Sequence, residues 1–254
     1  MVLQQRTKAE DCSETEWETR VSLAALYRTT AKYGMSDLAN GAIGARVPDE
    51  PDRYLTHPYG LFWEEAKASD FVKIDKRGQP VDPNGLWLND GAVNLCKWVF
   101  AGRNDVNYFI HGHDQEVMAV ASIEDGLLPL NQPAIYLSHI LDYLDYTFEE
   151  DEEYAAHFVK TLANKQILIS RNHGYYVLGK TPAAAFFRAF FLRQTCSAQI
   201  KTLSMGRPLH LIDPQRVARY QDEMAVSSNY NYNGETEWPG LIRMLERTQP
   251  EYKQ

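Results

Sequence analysis

The chain has 254 residues, a net charge of −8 at pH 7 and a hydrophobic fraction of 44%. A chain of this length and apolar content can bury a sizeable core, as one large domain or two small ones. The acidic balance argues against nucleic acid or an anionic membrane surface as partner, since both favour a basic protein surface.

The first half of the chain predicts a helix followed by short strands. The helix begins at the capping sequence Ser13-Glu14-Thr15-Glu16 and ends before Gly34. The elements predicted next are short runs separated by turn residues: strands over 42–47, 54–56 and 71–75, a helix over 94–101 and a strand over 107–113.

In the second half, an acidic run over 149–153 could be mistaken for a metal site. We interpret it as the first turn of a helix that continues to Thr161, where acidic side chains stabilise the helix dipole. Two strands follow, over 167–170 and 175–178. A long helix then begins at Thr181 and Pro182 and ends at Gly206. Interleaved strands and helices without a Gly-rich phosphate loop predict an α/β sandwich.

Cysteine usage and the N-terminal composition bear on localisation. The three cysteines, Cys12, Cys96 and Cys196, contain no CxxC pair, which is typical of a reducing compartment. Residues 1–16 lack the apolar segment of a signal peptide, and no apolar run is long enough for a membrane span. A soluble, cytoplasmic protein without a membrane partner is therefore expected, with residues 1–12 flexible.

The sequence His111-Gly112-His113 is a candidate metal-binding motif. On a strand, residues i and i+2 point to the same face, so both imidazoles can converge on one cation. The intervening Gly112 is expected to leave room for a ligand or another chain. Two such histidines can also form only a polar face, but His173, in a tight turn between two predicted strands, is a plausible third ligand.

The other histidines carry weaker signals. His57, His157 and His210 lie in a loop, on a surface helix and after the long helix, and each is expected to be solvated. His139 differs, because it follows Tyr136 in a segment that could line the same cleft as the HGH strand.

In combination, these motifs resemble those of the class II aldolase/adducin superfamily, and within it the adducin-like branch. The resemblance covers about residues 15–252. Its segments, besides HGH and Asn172-His173-Gly174, are RVSLAALYR (20–28), DL (37–38), ARVP (45–48), PYGLFWEE (58–65), ASDFVK (68–73), DGLLP (125–129) and EWPGL (237–241).

The resemblance implies a single domain over 1–254 with a three-layer α/β/α sandwich around a mainly antiparallel sheet. It implies a homotetramer whose active site lies at a subunit interface, with residues 225–254 as an interface segment. It also implies one divalent ion on His111, His113 and His173, with zinc preferred and iron, manganese or cobalt possible. In the family's aldolases and epimerases this ion stabilises an enediolate.

The chain departs from the family pattern at several positions. The family's aldolases carry a catalytic Glu, and its epimerases an Asp, nineteen residues before the first HxH histidine, where this chain has Ala92. The family's phosphate-binding positions fall at Ala42, Gly44, Tyr59 and the pair Asp90-Gly91. A phosphate dianion needs donors and positive charge, so the substrate is inferred to be non-phosphorylated.

With Ala92 at the carboxylate position, the proton carrier must be another residue. The candidates are Asp90, Tyr136, His139 and Tyr232, with Asp114, Glu116 and Tyr230 as further possibilities. The family's aldolases use a C-terminal tyrosine of a neighbouring subunit, which favours Tyr230 or Tyr232. Cys96 is interpreted as a buried helix cysteine.

Three functions are compatible with these residues. The first is a metal-dependent lyase (an aldolase, retro-aldolase or decarboxylase) acting on a small non-phosphorylated carbonyl or keto-acid compound. The second is an iron-dependent oxygenase of secondary metabolism on the same three-histidine site. The third is a non-catalytic interaction module like the adducin head, which would need none of the three histidines.

Overall fold

The computed structural model describes residues 12–81, 87–149, 151–226 and 233–254, in which strands and helices interleave along the chain. The strands are β1 (Ala42–Arg46), β2 (Arg53–Thr56), β3 (Val72–Asp75), β4 (Tyr108–Gly112), β5 (Leu141–Asp145), β6 (Ile167–Arg171) and β7 (Gly174–Gly179). The helices are α1 (Glu14–Lys32), α2 (Asp90–Gly102), α3 (Gln115–Ala121), α4 (Gln132–Ile140), α5 (Glu152–Leu162), α6 (Pro182–Ser204), α7 (Pro214–Val226) and α8 (Trp238–Thr248).

These strands form one mixed sheet in the order β3-β2-β1-β4-β7-β6-β5. Neighbouring strands are antiparallel except β5 and β6, which are parallel and are joined through α5. A parallel pair needs such a crossover, whereas the antiparallel pair β6 and β7 is joined by a tight turn. The predicted mainly antiparallel sheet is confirmed.

Helices cover both faces of the sheet. On one face, α1, α3, α6 and α8 pack against inward-facing side chains such as Ile43, Ile110 and Val177. On the other face, α2 and α5 pack against Phe109 and Leu178. Alternation along each strand sends successive side chains to opposite layers, so both faces are apolar. The three-layer α/β/α sandwich is confirmed.

Local capping fixes the helix starts. The Glu16 N–H donates to the Ser13 hydroxyl at 3.1 Å, as the capping sequence predicts. The Tyr154 N–H donates to Asp151 at 2.9 Å, so the described part of the acidic run caps α5. Helix α2 begins four residues earlier than predicted, because Asn89 accepts the Gly91 N–H at 2.8 Å.

The C-terminal part of the chain packs on its own domain. Leu245 and Tyr252 are buried in the core cluster that contains α1, and Arg28 forms a 2.8 Å ion pair with Glu251. Residues 227–232 and 1–11 lie outside the described residues. The interface role of 225–254 and the flexibility of the N-terminus therefore stay predictions. Among the described helices, none is long and apolar enough to span a bilayer.

The expectation that His57 is solvated is wrong, whereas His157 and His210 are exposed as predicted. His57 is 1% exposed, and its Nδ1 lies 2.7 Å from the Tyr27 hydroxyl. That hydroxyl also bonds the backbone of Ile43, so Tyr27 ties α1 to β1 and His57 joins the same buried hydrogen-bond network. Burial lowers the pKa of His57 from 6.5 to about 4.

Acidification is therefore expected to destabilise the fold through His57. The unfolded chain takes up the proton near pH 6.5 and the folded chain only near pH 4, so stability is lost as the pH falls through this window. The loss amounts to about 3 kcal/mol. Urea unfolding at several pH values should show it in the wild type, and His57→Gln should flatten the dependence. Equal slopes in the two proteins would contradict this assignment.

Candidate metal centre

Three imidazoles meet where the end of β4 lies beside the turn between β6 and β7. Nε2 of His113 lies 3.1 Å from Nε2 of His111 and 3.1 Å from Nε2 of His173. Each histidine offers one ring nitrogen as a ligand atom, and the three nitrogens all lie within 4.8 Å of one another. The structure thus brings together the three predicted ligands, although sixty residues separate the last two in the chain.

His111 is held by the sheet itself. It lies on β4 and is 8% exposed. Its ring stacks on Tyr176 of β7 at a centroid distance of 4.5 Å, and its Nδ1 lies 2.9 Å from the Tyr175 carbonyl oxygen. A carbonyl oxygen can only accept, so Nδ1 carries the hydrogen and Nε2 presents a lone pair.

His113 and His173 are positioned by chain segments just outside the strands. His113 follows the last residue of β4, and its Nδ1 lies 3.3 Å from an Asp37 carboxylate oxygen. His173 occupies the turn between β6 and β7. Asn172 there adopts φ 60°, a left-handed conformation that Asn tolerates, and the His173 N–H donates to the Ser170 carbonyl.

Gly112 has a different role from the predicted one. A Cβ at this position would lie 2.6 Å from the Tyr175 hydroxyl, so the glycine makes room for that side chain. The Tyr175 hydroxyl in turn donates to Asp114 at 2.6 Å. Tyr175 therefore fixes the segment after β4 with its side chain while its carbonyl orients His111.

The protonation state of the three histidines suits metal binding. Burial, reinforced by the neighbouring imidazoles, holds the pKa of His111 well below its usual range and lowers that of His173 to about 4. Burial also lowers the pKa of His113, against the opposing influence of Asp37. Neutral imidazoles with free Nε2 lone pairs are the form that a metal requires.

The spacing fits a cation between the rings. Two nitrogens at about 2.0–2.1 Å from a tetrahedral ion lie about 3.3 Å apart, close to the 3.1 Å separations here. With the ring hydrogens on Nδ1, the three Nε2 lone pairs face one another and would repel without a positive centre between them. Zinc, iron, cobalt and manganese all accept such a nitrogen set.

Asp37→Ala is expected to weaken metal binding. The carboxylate orients His113 through Nδ1, and loss of such an outer partner costs metal affinity about 10-fold. Competition with a chromophoric chelator would measure the change, with the exposed Asp222→Ala as a matched control. Unchanged affinity in Asp37→Ala would show that packing alone holds His113.

Comparison with known proteins agrees with this geometry. Residues 21–200 match the family described as Class II Aldolase and Adducin N-terminal domain. This chain belongs to that family. A Caulobacter vibrioides protein named for aldolase class 2 is 36% identical, covering 94% of this chain and 93% of its own length.

Two further relatives place the chain within the class II aldolase/adducin family. Human gamma-adducin is 32% identical over 90% of this chain, which corresponds to 34% of the adducin. The crystal structure of an aldolase II superfamily protein from Pseudomonas syringae superposes with a TM-score of 0.90 at 31% identity, covering 96% of this chain and 98% of the other. Both the fold and the family resemblance are thus confirmed.

Ala92 stands where the pattern of the family's aldolases places a carboxylate. Ala92 lies in the first turn of α2 and is buried in the layer that His111 faces. Ala42, which pairs with His111 across β1 and β4, belongs to the same layer. Asp90, two residues earlier, is exposed at the start of α2. The buried position that Ala92 occupies therefore carries no carboxylate, and the nearby Asp90 side chain is exposed.

Tyr136 and His139 lie together but apart from the histidine cluster of their own chain. Their rings are 5.9 Å apart in α4, which leads directly into the start of β5. His173 follows the end of β6, which runs parallel to β5. The length of a five-residue strand, about 13 Å, therefore separates them. Tyr232 and Tyr230 lie outside the described residues.

Tyr146 contacts His173, a neighbour that the sequence does not indicate. This residue directly follows β5, and its ring lies 4.3 Å from the His173 ring, centroid to centroid. The parallel pairing of Asp145 with Arg171 places it beside the turn that carries His173. No local pattern in the sequence indicates which strand lies beside β6, so only the sheet order could find this contact. Cys96, by contrast, is buried in α2 as predicted.

Proposed function

We propose that this class II aldolase/adducin family member is a divalent-metal-dependent lyase, of aldolase, retro-aldolase or decarboxylase type. Its proposed substrate is a small non-phosphorylated carbonyl or keto-acid compound. The observation that carries the proposal is the convergence of three imidazole nitrogens on one point. A scaffold that only binds other proteins would not need this arrangement.

The three histidines would hold the ion, and zinc is the preferred candidate. When bound, such an ion polarises a substrate carbonyl and stabilises the negative charge left when a C–C bond breaks. Three neutral ligands would leave its charge uncompensated and one position open for substrate. Tyr175 and Asp37 keep His111 and His113 in the orientation that presents Nε2.

Packing at β1 supports a non-phosphorylated substrate. A Cβ on Gly44 would overlap the Phe109 ring and lie 3.1 Å from the Cys96 sulfur, so a serine hydroxyl does not fit there. Ala42 offers no side-chain donor. Asp90 adds a negative charge at the start of α2, where it would repel a phosphate dianion.

We further propose that proton transfer involves Asp90 of the same chain and Tyr136, His139 or Tyr232 of a neighbouring subunit. Tyr136 and His139 are too far from the histidines of their own chain to act there.

We propose that the protein is a homotetramer. Large apolar side chains exposed on α6, α7 and the segment between them support a homo-oligomer: Ile200, Leu203, Met205, Leu209, Leu211 and Tyr220. The three free cysteines support the proposed cytoplasmic location.

The test combines elemental analysis of the purified protein with assays of metal-free, zinc-loaded and ferrous protein. Cleavage or decarboxylation of aldol and keto-acid substrates by the zinc form, with sugar phosphates turned over poorly, is the expected result. If only the ferrous form is active and it consumes oxygen with the substrate, the protein is an oxygenase and not a lyase. A protein that binds no metal and is unaffected by chelators would be an interaction module.

A further inference from the structure

The three histidines differ in how their second ring nitrogen is satisfied. Nδ1 of His111 faces a backbone carbonyl, and Nδ1 of His113 faces a carboxylate. Nδ1 of His173 is buried and has no hydrogen-bond partner among the described residues. Since metal-bound histidines normally donate this hydrogen to an acceptor, His173 lacks the usual means of fixing its ring.

The missing acceptor matters once an ion is bound. Coordination through Nε2 places the hydrogen of a neutral imidazole on Nδ1. A buried N–H without an acceptor raises the free energy of the metal-bound form, because the N–H has lost its hydrogen bonds to water and has formed none within the protein. The ring of His173 therefore needs another source of orientation and of electrostatic stabilisation.

The Tyr146 ring lies in direct contact with the His173 ring. Its ring centroid is 4.3 Å from that of His173, with an angle of 42° between the planes. The pairing of Asp145 with Arg171 holds the backbone next to Tyr146 beside the backbone that leads into the turn with His173. Tyr146 is itself half-buried, and the exposed Phe148 packs on it at 5.0 Å.

We propose that Tyr146 is a positioning residue for the metal centre, holding His173 in its ligating orientation through its aromatic ring. The face of a phenol ring is electron-rich, so it attracts an N–H and an imidazole made partly positive by a bound cation. The ring would thus replace, for His173, the acceptors that orient His111 and His113. The inference rests on the proposed metal centre.

Two substitutions separate the ring from the hydroxyl. Tyr146→Phe keeps the aromatic face and is expected to bind Zn²⁺ or Co²⁺ with wild-type affinity. Tyr146→Leu removes the face and is expected to lower affinity about 10- to 100-fold, the usual effect of losing an outer-shell partner. Affinity is measured by chelator competition, and the visible spectrum of the Co²⁺ form reports the ligand geometry.

Phe148→Leu is the matched control, because it also replaces an aromatic ring with leucine, two residues along the same segment. It is expected to bind metal normally. An equal loss in Phe148→Leu would assign the effect to the segment rather than the ring and overturn the inference, as would unchanged affinity in Tyr146→Leu.

Folding of the variants is checked without metal. Melting temperatures of the metal-free variants should stay within a few degrees of the wild type, since Tyr146 and His173 are half-buried and lie outside the two core clusters. If Tyr146→Leu does not fold, Tyr146→Met provides the same comparison with a flexible side chain. Absence of metal binding by the wild-type protein would refute the proposed function itself, a result distinct from equal affinities in wild type and variants.

Discussion

His111→Ala is expected to abolish metal binding. His111 is the most buried of the three proposed ligands and is held by the Tyr176 ring and the Tyr175 carbonyl. With only two imidazoles left, the ion would lack one of its three proposed protein ligands. Affinity should fall by more than about 100-fold, beyond the loss caused by an outer-shell change. The proposed lyase activity should disappear with the metal.

Elemental analysis after dialysis measures this loss. His157→Ala is the matched control, because His157 is exposed on α5 and should have no effect on metal content. Circular dichroism distinguishes loss of the ion from loss of the fold. A folded His111→Ala protein that keeps a full complement of metal would place the ion elsewhere and remove the basis of the proposed function.

Gly174→Ala is expected to destabilise the protein strongly. A Cβ on this first residue of β7 would overlap the carbonyl oxygen of Gly112 and lie 2.9 Å from Cδ2 of His113. The clash involves backbone of the paired strand β4, which cannot move aside like a flexible side chain. We expect a cost of about 3 kcal/mol, typical of severe overpacking.

The corresponding fall in melting temperature is roughly 10 °C for a chain of this size. Differential scanning calorimetry on metal-free protein would record it. Gly240→Ala is the control, since a Cβ there would lie 3.7 Å from the nearest atom, a side-chain nitrogen of Arg243, and should leave stability unchanged or slightly higher. Equal melting temperatures for Gly174→Ala and the wild type would show that β4 and β7 are less tightly paired than described.

Capping and alternation made much of the secondary structure predictable. Ser13 and Thr181 bond the N–H groups at the starts of α1 and α6, as their positions in the sequence indicate. Helix α2 begins before the predicted start because Asn89 is a weaker local signal than a Ser-x-x-Glu box. His57 is buried, against the prediction, because its environment depends on Tyr27, thirty residues away, and not on the proline beside it.

The sequence by itself determined the residue types of the candidate metal centre and two of its three members as a pair. His111 and His113 are two residues apart at the end of a strand, so backbone geometry alone directs them to one side. The absence of a carboxylate at Ala92 was equally visible. These features depend on local spacing, which the chain carries in its order of residues.

Tertiary structure alone decided how the centre is completed. Pairing of β4 with β7 brings His173 within 3.1 Å of His113, and parallel pairing of β5 with β6 places Tyr146 against His173. The same sheet order puts Tyr136 and His139 at the other end of β5. Strand order arises from the burial of two apolar faces by distant helices, so spacing along the chain does not encode it.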